Sequence, residues 1–368
     1  MTDIHTQAGI SITSPGLQAF RNARERHRKD QQTALISLVM PVFNEQTGLP
    51  QVYSIVTELM ESTGYPFEIV VSDNGSSDET EAIMWNILSQ DDRWRYVRLS
   101  RNFGYQSNIS VGMAMARGDA IIVIDSDLQD PPEMIHEFIK HWQQGYDIVY
   151  GVRMQRTEEP PLRIFLTMTA MRLISWMSDY PLPPHSSDFR LITRQVRDHF
   201  VNMNEGSRYV RGMIHWTGFR QIGLPYTRRG RQYDQDDRKW GAGILSLTNF
   251  ALNAIFSFSL KPLRIFSIIG VVTLFISVIM FIGYLILFFV DRDLPPGFTT
   301  QLLVSLVQLG VLSSGIGVLG EYVGRIYMET KQRPLWLVDY MVNMEQYPQY
   351  NVDINEYVPD ANAEDTPQ

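Results

Sequence analysis

The chain has 368 residues, 44% hydrophobic and 20% charged, enough for one or two domains with a substantial core. Its 32 Lys and Arg stand against 40 Asp and Glu, a formal charge of -8, which argues against a basic nucleic-acid-binding surface. There is no cysteine, so disulfide scaffolds, thiolate nucleophiles and Cys-ligated zinc are excluded together.

In chain order, residues 1–34 read as a polar leader, without the basic and apolar regions of a signal peptide. ISLVMPVFNE (Ile36–Glu45) is an apolar strand-like run, and LPQVYSIVTELMEST follows as a helix with Pro50 in its first turn. FEIVVSDNGSSD repeats the pattern of strand and turn, and predicts a helix from about Glu79 to Leu88. WRYVRLS, NISVGMAMARG, DAIIVIDSD, IHEFIKHWQQG and YDIVYGVR continue the alternation of strand and helix. This predicts an α/β fold: an open, mostly parallel sheet with helices on both faces. Ligands of such sheets sit beyond the carboxyl ends of the strands. Asn44, Glu45, Asp73–Asp78 and Asp125–Gln129 therefore gather on one rim.

Beyond Pro160 the pattern is less regular. RIFLTMTAMRLISWMS predicts an amphipathic helix over about 163–178, lying on a membrane or packed on the core, and 241–262 predicts a juxtamembrane amphipathic helix. Ile265–Val290 contains no charged residue, and Thr299–Gly320 has only Gln301 and Gln308 as strongly polar members. The expectation is two transmembrane helices, 263–291 and 299–322, forming a hairpin. Lys261, Arg264, Arg325, Lys331 and Arg333 flank them, which places both termini and the 35–240 domain on the cytoplasmic side of an inner or plasma membrane. From Leu335 onward there are seven acids and no Lys or Arg. This part of the 323–368 segment is expected to lie outside the catalytic machinery and to be dispensable for chemistry.

The sharpest local feature is IDSDLQDPPE (Ile124–Glu133). Asp125 and Asp127 leave an apolar strand two residues apart, where both carboxylates can turn toward one Mg²⁺ or Mn²⁺, with the Gln129 amide as a further oxygen ligand. Asp130, before Pro131, reads as a helix cap. Asp73 serves either its own turn or a nucleobase or ribose donor. Arg101, Arg153, Arg190, Arg208 and Arg211 are candidate anion contacts. The basic run Tyr226–Trp240 suits an anionic headgroup or phosphate at a bilayer edge. No P-loop or G-x-G-x-x-G turn is present, and the histidines show no zinc spacing.

Taken together, VMPVFNE, SDNGSSD, RNFGYQSN, DSDLQDPPE, GVRMQR, SDFRLITR, SRYVRGMIHWTGF and FSFSLKPLR resemble the family 2, GT-A-fold glycosyltransferases of the polyprenyl-phosphate type. That group contains dolichol-phosphate mannose synthase and bacterial undecaprenyl-phosphate glucosyltransferases. The resemblance spans roughly residues 35–330. It implies inverting transfer of one sugar from a UDP- or GDP-linked donor to a polyprenyl phosphate, for glycan or lipopolysaccharide modification. By the same resemblance Pro41, Phe43, Glu45, Asp73, Arg101, Asp125 and Ser126 hold the nucleotide sugar. Asp125, Asp127 and Gln129 hold Mg²⁺ or Mn²⁺, and Asp127 and Asp188 are the catalytic residues, Asp188 as base or as organiser of the acceptor. Arg153, Arg190, Arg208, Arg211, Arg228, Arg231 and Lys239 face phosphate or acceptor. The implied partners are membrane lipid, a homo-oligomer (a tetramer), a flippase and a downstream glycosyltransferase. Asn74 stands where many relatives carry a second Asp, and RRGRQYDQDDRKW replaces a compact G-x-S-K-Y/W segment. The alternative enzyme is a processive polysaccharide synthase, to whose Gln-x-x-Arg-Trp motif Gln235–Trp240 bears a faint similarity. The non-enzymatic alternative is an inactive membrane scaffold derived from a transferase, against which the intact Asp125, Asp127 and Arg101 argue.

Overall fold

The computed structural model describes residues 33–154, 186–203, 205–206, 208–229, 261–290 and 297–352. The predicted leader, the 163–178 helix, nearly all of the juxtamembrane helix and the last residues of the acidic tail lie outside these. Four strand-helix steps and a fifth strand open the fold. They are β1 (Ile36–Val42), α1 (Leu49–Ser62), β2 (Phe67–Asp73), α2 (Thr80–Gln90), β3 (Trp94–Leu99), α3 (Tyr105–Met115), β4 (Ala120–Val123), α4 (Met134–Gln143) and β5 (Ile148–Arg153). Then come β6 (Ser186–Thr193), α5 (Arg194–Val201), α6 (Val210–Trp216), β7 (Gln221–Tyr226), α7 (Lys261–Val290), α8 (Phe298–Thr330) and β8 (Val338–Val342).

One sheet of eight strands runs β7-β5-β6-β4-β1-β2-β3-β8. The central strands are buried on both faces, and their side chains divide by the two-residue period. Ile36, Leu38, Met40 and Val42 pack with Val52, Val56 and Met60 of α1 and Ile135 and Phe138 of α4. Val39, Val70 and Val97 meet Ile109 and Met113 of α3 and Phe200 of α5 on the other side. In α4 the buried positions Ile135, Phe138, Ile139 and Trp142 form one stripe, the spacing of a half-buried helix. Each such side chain contributes about 1.5–3 kcal/mol by burial.

Two expectations are corrected here. The sheet is mixed: β1, β2, β3 and β4 pair in parallel, as do β5 and β7, but β6 is antiparallel to β4 and β5, and β8 is antiparallel to β3. SDFRLITR is thus a reversed central strand, whose direction no local pattern announces. The second correction concerns the C-terminal segment, which reaches back into the catalytic domain. Met341, Val342 and Met344 are buried. The buried Arg95 donates to the Asn343 carbonyl (2.9 Å) and to Gln346 Oε1 (2.8 Å) while pairing with Glu68 at 2.8 Å.

The membrane reading changes too. Among the described residues one helix is long and apolar enough to cross a membrane, Leu263–Met280 within α7, and none of that window is buried in the protein. Helix α8 does not qualify as a second. Gln301, Gln308, Ser313 and Ser314 interrupt its apolar run, and Glu321, Arg325 and Glu329 charge its last turns. The expected two-span hairpin, and the cytoplasmic placement of both termini that needed an even number of crossings, are not sustained. What stands is a membrane-associated protein with one helix able to cross by length and composition.

Candidate active site

The site begins where β4 runs out. After Val123 the Ile124 amide still donates to the Val39 carbonyl (3.0 Å), so Asp125 is presented at a fixed point beside β1. One oxygen of each carboxylate is tied by the protein. Asp125 Oδ1 accepts from the Tyr105 hydroxyl at the start of α3, and Asp127 Oδ1 accepts from the Gln129 amide at 3.1 Å. The other oxygens, both Oδ2, face the same cationic group, Arg228 Nη2, at 3.8 and 3.5 Å. Burial, foremost, pushes the Asp125 carboxyl up to about 6; the Tyr105 bond opposes this, while Asp127, Asp188 and Asp130 reinforce it.

Asp130 is no helix cap. Its carboxylate is buried, accepts from the Tyr226 hydroxyl (2.6 Å) and from Arg153 Nη2 (3.2 Å), and stands 3.3 Å from Arg228 Nε. Helix α4 starts later, behind Glu133, with no side-chain cap bond. Asp130 thus ties the end of β7 to the acidic loop. Arg229 adds two clasps, its amide on the Gln129 carbonyl (2.8 Å) and its guanidinium on Glu133 (3.0 Å).

A second charged unit lies on β6. Asp188 is buried and is gripped by both arms of Arg211 from α6, with Nε at 2.9 Å; Arg190 Nη2 is 3.8 Å away. Burial alone would raise the Asp188 carboxyl. Arg211 foremost, then Arg190 and Arg153, outweigh burial and hold it below the usual carboxylate range. An acid so paired is a fixed anion, poorly suited to abstract protons near neutral pH.

Several expected site residues have other work in this structure. Asp73 is fully buried: one oxygen accepts from the Ser76 amide (2.9 Å) and hydroxyl (2.6 Å), the other from the Tyr96 hydroxyl (2.6 Å) and Arg98 (3.0 Å). Those four bonds give Asp73 a structural task, holding its own turn and tying β2 to β3. Arg190 is fully buried with Nη2 on the Ser187 carbonyl (2.6 Å), and Arg208 is buried against the Phe200 ring (4.9 Å) with Nη2 on the Met203 carbonyl. Neither presents a face to a phosphate. Arg101 is exposed but lies over the Phe103 ring at 4.0 Å. Pro41 and Ser126 are buried, Phe43 is exposed, and the Glu45 amide donates to Thr80 (2.8 Å), so the β1 rim is stitched to the Asp73 turn. Gly75 completes that turn at φ +74; a Cβ there would come within 2.9 Å of the Arg101 backbone. Arg231 and Lys239 lie outside the described residues.

Tyr105, Tyr226 and the hub role of Asp130 escaped the sequence reading. Tyr105 stands in RNFGYQSN, a segment that contributes to the family resemblance through Arg101, with no role read for its tyrosine. Its role shows once α3 is set against the end of β4.

Do these residues suit a divalent cation? Among the described residues no group of three His, Cys, Asp or Glu side chains converges for one. Two carboxylate oxygens do, with their partners locked and a positive group already facing them. A pair of acids completed by water and substrate phosphates is the usual holding of Mg²⁺ or Mn²⁺, so the fit is good.

The mixed sheet flanked by helices thus carries paired carboxylates past a central strand and an Arg-clamped Asp on the strand beside them. Comparison with known proteins gives the family. The Glycosyl transferase family 2 profile matches residues 37–200. An uncharacterized glycosyltransferase of Synechocystis is 35% identical over 317 residues, 86% of this chain and 98% of that protein. The bactoprenol glucosyl transferase of Shigella phage SfX is 36% identical over 311 residues, 82% and 98% of the two chains. Among solved structures, glucosyl-3-phosphoglycerate synthase of Mycobacterium tuberculosis, in complex with Mn²⁺, UDP and phosphoglyceric acid, is 17% identical with a TM-score of 0.44, covering 64% of this chain and 81% of that one. The chain belongs to glycosyl transferase family 2.

Proposed function

We propose that the protein transfers one sugar, with inversion, from a UDP- or GDP-linked donor to a polyprenyl phosphate. The observation that carries this is the convergence of the two outward oxygens of Asp125 and Asp127 on one cationic position, with the Asp188–Arg211 pair on the next strand. The bactoprenol glucosyl transferases among the relatives support a polyprenyl phosphate acceptor, and the membrane-length helix suits a lipid substrate.

In this reading Asp125 and Asp127, with Gln129 beside them, hold Mg²⁺ or Mn²⁺ and through it the donor diphosphate. Bound there, the cation offsets charge that develops on the departing diphosphate. Pro41, Phe43, Glu45, Arg101 and Ser126 form the nucleotide rim. Arg153 and Arg211 face phosphate, and Arg231 and Lys239 belong to the acceptor side. A lipid phosphate monoester has its second pKa near 6, so it reaches the site largely ionised and needs no strong base. Asp188 then fixes Arg211 toward the acceptor phosphate. A homo-oligomer, a flippase and a downstream glycosyltransferase extend the proposal on the family resemblance alone.

The test is incubation of the purified full chain with polyprenyl phosphate and a panel of UDP- and GDP-sugars, with the lipid product read by mass. A single lipid-linked sugar is expected. A long polymer, or binding of donors with no transfer to any polyprenyl phosphate, would reject the reading.

A further inference from the structure

We propose that Arg228 is a displaceable counter-ion, its guanidinium and a divalent cation being alternative occupants of the space between Asp125 and Asp127. The inference rests on those two acids being the metal's ligands. Arg228 Nη2 stands 3.8 Å from Asp125 Oδ2 and 3.5 Å from Asp127 Oδ2, the same two oxygens the protein leaves outward. Like charges a few ångström apart repel strongly, so metal and guanidinium exclude each other.

The hold on Arg228 is loose. These are ion-pair separations, and its buried Nε, although 3.3 Å from Asp130 Oδ1, makes no hydrogen bond. The neighbouring backbone is held by the Arg229 N–H on the Gln129 carbonyl (2.8 Å). Departure therefore needs only a side-chain swing about a fixed backbone. In the metal-free state Arg228 neutralises a cluster of acids that would otherwise repel one another; in the loaded state it is released beside the phosphates.

The test uses Mn²⁺ alone, without nucleotide, titrated into the full chain in detergent while free Mn²⁺ is read by electron paramagnetic resonance. Arg228→Gln is expected to bind Mn²⁺ at least fivefold more tightly than wild type. Arg153→Gln removes a nearby cation that pairs with Asp130 rather than with the two ligands, and is expected to stay within twofold. Unchanged or weaker binding by Arg228→Gln, or equal tightening by Arg153→Gln, overturns the proposal. Asp127→Asn separates the two levels. If it keeps wild-type Mn²⁺ affinity, the metal assignment itself fails. If it loses Mn²⁺ while Arg228→Gln gains nothing, only the displacement fails. A measurement on wild type guards against a misfolded variant: modification of Arg228 by phenylglyoxal, read by peptide mass, should accelerate on adding Mn²⁺. No change, or protection, contradicts the exchange.

Discussion

Asp73 and Asp125 both stand at the carboxyl ends of parallel strands, on the same rim, after runs of apolar residues that look alike. Their surroundings separate them. Asp73 has four protein donors on its two oxygens and no exposure. Asp125 and Asp127 each have one oxygen tied and one turned outward, with about a fifth of each side chain exposed (19% and 21%). An acid on the rim becomes a ligand site only when the protein leaves part of its acceptor capacity unspent.

The largest expected effect attacks the Asp73 side of this contrast. Arg98, one of its donors, pairs in register with Tyr340 of β8, and the Tyr340 hydroxyl bonds Glu81, a second partner of Arg98. A chain ending at Pro334 loses these contacts and the burial of Met341, Val342 and Met344, about 1.5–3 kcal/mol each. It should fail to give a folded, monodisperse protein by circular dichroism and gel filtration. A chain ending at Val352 keeps the described contacts and should fold.

Next, Asp127→Asn should lower transfer by about 10²–10³ through lost stabilisation of the leaving group, with melting unchanged within a few degrees. Asp73→Asn should do the reverse. It breaks a buried pair, costing about 3–5 kcal/mol of stability in urea unfolding, while the folded fraction keeps its metal.

A titration keeps acid sensitivity from being blamed on either carboxylate end. Burial foremost, with Arg190 beside it, pushes the His215 imidazole down to about 4 against the opposing bond to Gln221. The unfolded chain, with an ordinary His near 6.5, therefore takes its proton first. The His215 contribution should be level above pH 7 and fall between about pH 6.5 and 4, by up to about 3 kcal/mol, while Asp125, raised to about 6, takes its proton first in the folded state and opposes that fall over the same window. Asp188, held below the usual range, loses its contribution only at lower pH. The difference in urea stability between wild type and His215→Gln across this window isolates the histidine and should shrink as pH falls; a pH-independent difference contradicts it. The smallest effect is expected of Tyr105→Phe, which frees Asp125 Oδ1 and should weaken Mn²⁺ binding by about threefold to tenfold, near the net value of one ordinary hydrogen bond, about 0.5–1.5 kcal/mol.

Much of this was legible in the residues alone. The parallel β1–β5 alternation, the helix at Leu49–Ser62 and the acidic rim follow from apolar periodicity and turn residues. Local pattern does not encode strand direction, so reversed β6 and β8 were hidden, and the acids Asp339 and Glu345 made a folded segment look like a solvated tail. Nor does it tell which oxygens are spent. Asp73 is consumed by Tyr96 and Arg98 on the adjacent strand, and Asp125 is held by Tyr105 from a helix twenty residues earlier. Such pairings exist only once the sheet is assembled. For the same reason Arg190 and Arg208, good phosphate donors by type, turned out to be buried.

The central claim is that Asp125 and Asp127, and not Asp73, hold the metal and the donor diphosphate. The most direct test is calorimetric titration of UDP and GDP, with Mn²⁺ present, into folded Asp127→Asn and folded Asp73→Asn. The account requires metal-dependent nucleotide binding to vanish in the first and to persist near wild-type affinity in the second. Binding kept by Asp127→Asn and lost by Asp73→Asn would contradict it and move the donor site to the β2 end of the rim.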